Sequence, residues 1–447
     1  MASGAAMTGQ PTPRRRLRLA IVLLGLALLL ALVLRFVLEP QRVAGLLLAR
    51  IGAATGLDIR TSGAVEYQLR GKPTVVLHDV VAREPGASTP LLRVDRILLS
   101  LPWSSVRALG AELAATRLEL DDATLDLPAL QHWLATRPPS ATTRLPTLTE
   151  GLRIRNGRIH DNAWNIDGID VELPRFAPEA PLHARLRGRY LSASLQAPVD
   201  LSVALVRPAA LFEGASTGFA ANGRIVVQNG ATWQLPATLA LSGPLSLGGD
   251  KIAIAPLEFG ISGAYVSGDN RIPFALGIHG PLQFDQAVWL LAPARVVLRG
   301  RGPPDSNPIP TLDANANLAL GRRLVLRLQG RVDRWPAAWP ALPAPLSQST
   351  AALPFALDYT GKTDFSSIAT LQLQHGAASL EARLRLQDLQ AWLASDTKNP
   401  LPPLDANLRA PELEIAGAQL QGVEVTISDP AMDGSTGNND ATRDATP

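Results

Sequence analysis

Residues 370–387 read TLQLQHGAASLEARLRLQ, and the way apolar and polar letters alternate in them decides the fold class. Leu371 and Leu373 point one way, HGAA at 375–378 supplies a turn, and Leu380, Ala382, Leu384 and Leu386 return against Glu381, Arg383 and Arg385. A period of two places one apolar and one wet face on each strand, so the stretch reads as a complete antiparallel hairpin. The same alternation recurs on both sides of it. In RRLVLRLQ (322–329) Leu324, Leu326 and Leu328 oppose Arg323, Arg327 and Gln329, and in VEVTI (423–427) Val423, Val425 and Ile427 oppose Glu424 and Thr426. Further back, LRIRNGRIH (152–160) alternates up to Asn156-Gly157, a pair that predicts a hairpin turn.

Helical signals are few. LQHWLA (130–135) and LQAWLA (389–394) share one pattern, and DQAVWLL (285–291) reads as a third short helix, each placing a Trp over a sheet end. Two phrases repeat in the same order: PFAL at 273–276 and 354–357, and LDAN at 312–315 and 404–407. Their offsets of 81 and 92 positions point to a sheet unit of roughly 80–90 residues that extends along one axis. TRPPSATTRLPT (136–147) breaks both periods and reads as a linker. It separates a first segment (39–135) from repeated sheet modules over 148–430, with Pro-rich crossings at 300–311 and 335–345. The polar stretch 431–447 has the composition of a disordered tail.

Composition excludes several function classes. Of 447 residues, 46% are hydrophobic, enough for a large core, and the net charge is only +3. The Arg excess is spread along the chain, so no clustered cationic surface for nucleic acid is expected. Cysteine is absent, which removes disulfides, Cys-ligated zinc and thiolate chemistry together. Six His residues lie far apart, without HExxH or any His-carboxylate cluster, so neither a metal nor another cofactor is expected. Gly214-Ala215-Ser216-Thr217-Gly218 matches the nucleophile-elbow pattern by letter. That motif needs a strand before the Ser and a helix after it, whereas FAANGRIVV (219–227) reads as a strand directly after Ser216. A Gly/Ser turn is the simpler reading, no catalytic residue is assigned, and the chain is read as a non-enzyme.

The N-terminus speaks to location. Arg14, Arg15, Arg16 and Arg18 precede LAIVLLGLALLLALVL (19–34), and residues 17–38 suffice to span a bilayer if Arg18 and Arg35 reach the two interfaces. The excess of Arg before the span predicts a cytoplasmic N-terminus (1–16) and a body on the far side, with the span retained as an anchor. Beyond Pro40 the segment QRVAGLLLARIGAATG has helical apolar spacing.

A long sheet with one apolar face cannot leave that face in water. A second sheet, closure into a barrel, or folding into a trough that holds hydrocarbon chains would each cover it, and an upstream anchor favours the trough. With these features in order, the chain resembles the AsmA family of bacterial envelope proteins. The resemblance is carried by GLLLARIGAATGLDIRTSGAVEY (45–67), PTVVLHDVVARE (73–84), PLLRVDRILLSLPWSSVRALGAEL (90–113) and RLELDDATLDL (117–127). LRIRNGRIHDN (152–162), IPFALGIHGPLQF (272–284) and APELEIAGAQLQGVEVTI (410–427) extend it. These are strand-and-turn patterns, not catalytic signatures, and they cover roughly residues 17–430.

The resemblance implies a mostly β protein: one N-terminal transmembrane helix, then an elongated, curled antiparallel β-sheet groove of the β-taco kind with a few short helices. It implies an inner-membrane protein with a periplasmic body, related to bridge-like lipid-transfer proteins, whose partner is phospholipid. Leu324, Leu326, Leu328, Leu380, Leu384, Leu386, Val423, Val425 and Ile427 are then the candidate groove residues. This chain is short for the family, and fifteen to twenty strands at about 4.8 Å would give roughly 70–100 Å of sheet. The other reading from sequence is a structural or assembly factor whose sheets pack on themselves and whose edges or loops bind outer-membrane or other envelope proteins.

Overall fold

A computed structural model describes residues 48, 52, 55–68, 71–103, 114–136, 147–248, 251–302, 308–336, 339, 352–394, 403–415 and 418–433. The expected anchor (17–38), the segment before it, nearly all of the 136–147 linker and most of the 431–447 tail lie outside these residues. Among the described residues no helix is long and apolar enough to cross a membrane. The chain divides into two compact units, one of residues 1–139 with 154–162 and one of 140–153 with 163–447.

In the first unit β1 (Asp58–Thr61) and β2 (Val65–Gln68) both pair antiparallel with β3 (Thr74–Arg83). Asp79, at φ 53°, is the bend that lets one strand serve two partners. Next come β4 (Leu92–Ser100), β5 (Ala114–Ala115), β6 (Arg117–Asp121) and β7 (Thr124–Asp126), with β6 and β7 both paired to β4. Helix α1 (Leu127–Thr136) starts where the Asp126 carboxylate accepts the Ala129 N–H at 2.9 Å, as an N-cap should. Its Trp133 indole donates to the Thr55 carbonyl at 3.1 Å.

Here Asn156-Gly157 departs from expectation. It lies inside a single strand, β9 (Leu152–His160), parallel to β7. Asn156 does take the positive φ (50°) that makes this pair a turn former, and its side chain donates to Asp122. The Asp122 N–H bonds the Arg155 carbonyl and the Arg158 N–H bonds the Ala123 carbonyl. The left-handed residue therefore kinks the strand around a neighbouring loop and does not reverse the chain.

In the second unit, β8 (Thr147–Leu148) bridges to Phe176. The body then runs β10 (Trp164–Leu173), β11 (Leu182–Ser192), β12 (Gln196–Leu205), helix α2 (Pro208–Phe212), β13 (Thr217–Asn229), β14 (Trp233–Gly248), β15 (Lys251–Ser267), β16 (Asn270–Asp285) and β17 (Val288–Gly300). After these come β18 (Thr311–Leu320), β19 (Leu324–Arg334), β20 (Leu353–Gly361), β21 (Ile368–His375), β22 (Ala378–Arg385), helix α3 (Leu386–Ala394), β23 (Leu404–Ile415), β24 (Ala418–Ile427) and helix α4 (Pro430–Asp433). From β10 to β24 every strand pairs antiparallel with its sequence neighbour. Fourteen such steps at about 4.8 Å give a meander roughly 65–70 Å across its strands.

The hairpin read from residues 370–387 forms as β21 and β22, with Leu373 opposite Leu380 and Leu371 opposite Ala382. Gly376, at φ 59°, takes the left-handed turn position that its lack of Cβ permits. DQAVWLL is not a helix. Asp285 ends β16, Gln286 (φ 48°) and Ala287 (φ 62°) form a tight turn, and Val288 opens β17. The physical reason is the aromatic pair beside the turn, Phe284 against Trp289 with ring centroids 4.7 Å apart, a contact that needs the two strands adjacent. The repeated phrases occupy matching faces: Phe274 and Phe355 lie on the apolar side, as do Ala314 and Ala406. The two PFAL copies are nevertheless four strands apart (β16, β20) and the LDAN copies five (β18, β23), so the strand, not an 80–90-residue module, is the repeating element.

A line of prolines creases the sheet. Four consecutive pairings, β14 with β15 through β17 with β18, lose register at Ser242/Leu245, Ile254/Leu257, His279/Leu282 and Leu291/Ala294. Those gaps hold Gly243-Pro244, Ala255-Pro256, Gly280-Pro281 and Ala292-Pro293. Proline cannot donate to a ladder, and in a central strand it is accommodated at a bulge, which bends the strand. The backbones approach closely there: a Cβ on Gly243 would lie 2.2 Å from the Pro256 carbonyl oxygen, and one on Gly280 2.6 Å from that of Pro293. Side chains from both limbs of the bend meet in one cluster, with Ile254, Leu257, Leu291, Ala294 and Ala316 buried and Leu241, Phe259 and Val296 packed against them.

Candidate functional site

The register of the second unit converts separate alternations into one surface. Leu326 lies opposite Tyr359 and Leu318, Tyr359 opposite Ala369, Ala369 opposite Leu384, and Leu384 opposite Leu404. One row over, Leu328 is followed by Leu357, Leu371, Ala382, Ala406 and Ile427. Leu380 lies beside Leu408, and Leu408 beside Val425. Leu324, Leu326, Leu328, Leu380, Leu384, Val423, Val425 and Ile427 thus all stand on one face. Leu386 does not belong to that strand: β22 ends at Arg385 and Leu386 opens α3, packing beside the cluster of Leu324, Tyr359 and Ala369. Period two cannot show where a strand hands over to a helix, because the first residue of α3 is in phase with both.

The face continues upstream, where sequence reading assigned no site residue. Leu186 pairs with Leu201, Leu241 with Phe259, Phe259 with Ile278, and Ile278 with Val296. Many of the fully buried positions on this face are small, such as Ala221, Ala237, Ala314, Ala369 and Ala406. The larger side chains Leu201, Leu239, Ile261, Leu276, Leu298 and Leu326 are only half-buried. Leu324 and Leu384 are buried, as are Phe355, Tyr359, Leu373 and Leu408 on the same face, and Ile427, on the last strand, is 36% exposed.

The opposite face is ionic. Arg189 forks onto Asp167 with both bonds at 3.0 Å, Arg185 onto Asp200 at 3.0 and 2.8 Å, and Arg295 onto Asp313 at 3.1 and 2.5 Å. Arg409 contacts Glu424 at 3.0 Å. Each pair bridges neighbouring strands. The hydrogen bond from Arg185 holds the Asp200 carboxyl below its ordinary value, and that from Arg295 does the same for Asp313. Glu424 is lowered by its hydrogen bonds from Asn407 and then Arg409. Exposed pairs of this kind add little stability individually, but they keep one side of every strand in water. An open depression of about 490 Å³ beside the crease is lined by Ser242, Glu258, His279 and Arg295 over the bare backbone of Gly260 and Gly277. Arg295 there is already engaged by Asp313.

Ser216 is exposed in a turn that follows α2 and precedes β13, so helix and strand stand in the reverse of the order a nucleophile elbow requires. Among the described residues no three His, Asp or Glu groups are placed to hold a metal ion. Glu119, a buried carboxylate of the first unit, is compensated by Arg117 and by Arg96 at 3.7 Å. No family model, curated protein or solved structure matches the chain.

Proposed function

We propose that the chain is an inner-membrane-anchored protein of the bacterial envelope whose second unit binds or conducts phospholipid acyl chains along a curled, apolar β-sheet groove. The observation that carries this reading is the face just described: aliphatic across strand after strand, with the large side chains Leu201, Leu239, Ile261, Leu276 and Leu298 of β12 to β17 half-buried, while Phe355, Tyr359, Leu373 and Leu408 on β20 to β23 are buried in the sheet's own core. A methylene removed from water is worth about 0.8 kcal/mol, so a hydrocarbon chain laid along such a face is held by many small equal contributions and by no single residue. That suits a ligand that must slide. The AsmA-like order of motifs and the apolar segment 17–38, with Arg14, Arg15, Arg16 and Arg18 at its N-terminal end, support the envelope setting and the cytoplasmic N-terminus.

The test is extraction of lipid from the full chain purified in mild detergent, followed by mass spectrometry. Phospholipid is expected with the wild type and is expected to be depleted by Leu239→Glu and Leu326→Glu, while Thr238→Glu, one residue away on the ionic face, retains it. Folded wild-type protein without lipid would favour the assembly-factor reading instead.

A further inference from the structure

In a meander with sequential pairing, alternate connections fall on opposite rims. One rim carries the links β11–β12, β13–β14, β15–β16 and β21–β22, with tips such as Gly268-Asp269 and Gly376-Ala377. The other carries β12–β13, β14–β15, β16–β17, β18–β19 and β20–β21, and the far end of β24. The exposed large hydrophobic residues described in the second unit are divided unequally between them. Val206, Phe212, Ile252, Val288, Trp289, Leu290, Leu320, Phe365 and Ile427 are all on the second rim, and Leu420 alone is on the first. Single exposed apolar residues are ordinary on any surface, but their confinement to one rim is not.

The tip of the β16–β17 hairpin is apolar on both faces of the sheet. Trp289 continues the inner face, where Ile252, Phe284, Trp289 and Leu320 are successive cross-strand neighbours, while Val288 and Leu290 point to the other side. Beside it, the β18–β19 tip carries Arg322 and Arg323, both exposed, and Lys362 is exposed on the β20–β21 tip. From β12 to β24 these tips follow one another every second strand over roughly 60 Å. A line that long, one or two residues deep, fits an extended plane and not a compact partner. Lys251 is paired with Asp285 at 2.9 Å beside the β16–β17 turn and Lys362 stands near Asp364, so the cationic tip of this rim is Arg322-Arg323. A Trp and aliphatic tip next to such an Arg pair has the composition of protein at the interface of an anionic bilayer.

We propose that this rim lies along the surface of a negatively charged membrane, inserting the Val288–Leu290 tip among lipid headgroups. The inference goes beyond acyl-chain binding in the groove and stands without it. It places the long edge of the sheet against a bilayer, which a purely end-on bridge between two membranes does not require.

The absence of cysteine makes the test clean. Single cysteines replace Gln286 on this rim and Asp269 on the opposite one, each labelled with an environment-sensitive fluorophore. The full chain is reconstituted into vesicles of phosphatidylethanolamine and phosphatidylglycerol with brominated acyl chains. Bromine is expected to quench the label at 286 and to leave the label at 269 nearly untouched, with Ala287→Cys repeating the result if Gln286→Cys folds poorly. Arg322→Glu with Arg323→Glu, or high salt, is expected to reduce quenching at 286 about fivefold or more. Equal quenching on the two rims, or none at 286, overturns the proposal. So does a label at 286 that is shielded from aqueous iodide in detergent by a sedimenting dimer, which would make a second copy the occupant. Lipid extraction is read separately, so failure of one reading does not carry the other with it.

Discussion

Glycine-to-alanine substitutions on the adjacent strands β14, β15 and β16 give opposite signs if the crease is what bends the sheet. Gly243 sits at φ 152°, and an added Cβ would meet the Pro256 carbonyl oxygen at 2.2 Å and Ile254 Cγ2 at 2.6 Å. The obstruction is backbone, which cannot rotate away, so Gly243→Ala must push β14 and β15 apart by about an ångström and disturb their ladder. A cost of about 2–4 kcal/mol is expected, the range of overpacking added to an unfavourable backbone conformation. Gly260 and Gly277 face each other across β15 and β16, away from the register shift, where an added Cβ meets nothing within 4 Å. Gly260→Ala and Gly277→Ala are expected to stabilise by about 0.5–1 kcal/mol, because glycine loses the most conformational freedom on ordering. Urea titration followed by circular dichroism reads both. Equal tolerance of Gly243→Ala and Gly260→Ala would refute the close approach at the crease.

Three further outcomes are expected. Since Arg185 and Arg295 hold Asp200 and Asp313, and Asn407 with Arg409 holds Glu424, below their ordinary values, the stabilisation is fully present above the ordinary carboxylate range and is lost as pH falls through the lowered values; Asp313→Asn should lower the melting temperature at neutral pH and converge with wild type in acid. Ala287→Gly removes a Cβ from a residue at φ 62° and should raise stability by about 1 kcal/mol in thermal melts, without altering lipid recovery. Asp126→Ala removes the α1 cap and should cost about 1 kcal/mol, seen as faster hydrogen exchange at Ala129, whereas Asp126→Asn should keep most of it.

Most of the sheet was legible because alternation fixes which face a residue takes, and pairing with sequence neighbours then aligns those faces without further information. That is why Leu324 on β19 and Ile427 on β24 fall on one surface although four strands lie between them. What local pattern could not show is where a given signal is spent. Asn156 and Gln286 both adopt positive φ, but the first kinks a strand and the second reverses the chain, a choice made by the partners Asp122 and Trp289. The run Val288-Trp289-Leu290-Leu291 fits a helix or a strand equally by hydrophobicity. The crease does carry a sequence signal: Gly-Pro or Ala-Pro inside four successive strand-like stretches, at 243, 255, 280 and 292, mirrored about each hairpin. The exposure of the upstream face was not readable, since alternation marks a side as apolar and says nothing of what covers it.

The most direct test of the apolar face is photocrosslinking from inside a native lipid environment. A benzophenone amino acid is placed at Leu239, on the apolar face, or at Thr238, its neighbour on the ionic face, in the full chain expressed in a bacterial envelope. The account predicts a phospholipid adduct, identified by mass spectrometry, from position 239 and little or none from 238. Adducts from neither position, or equally from both, would contradict it.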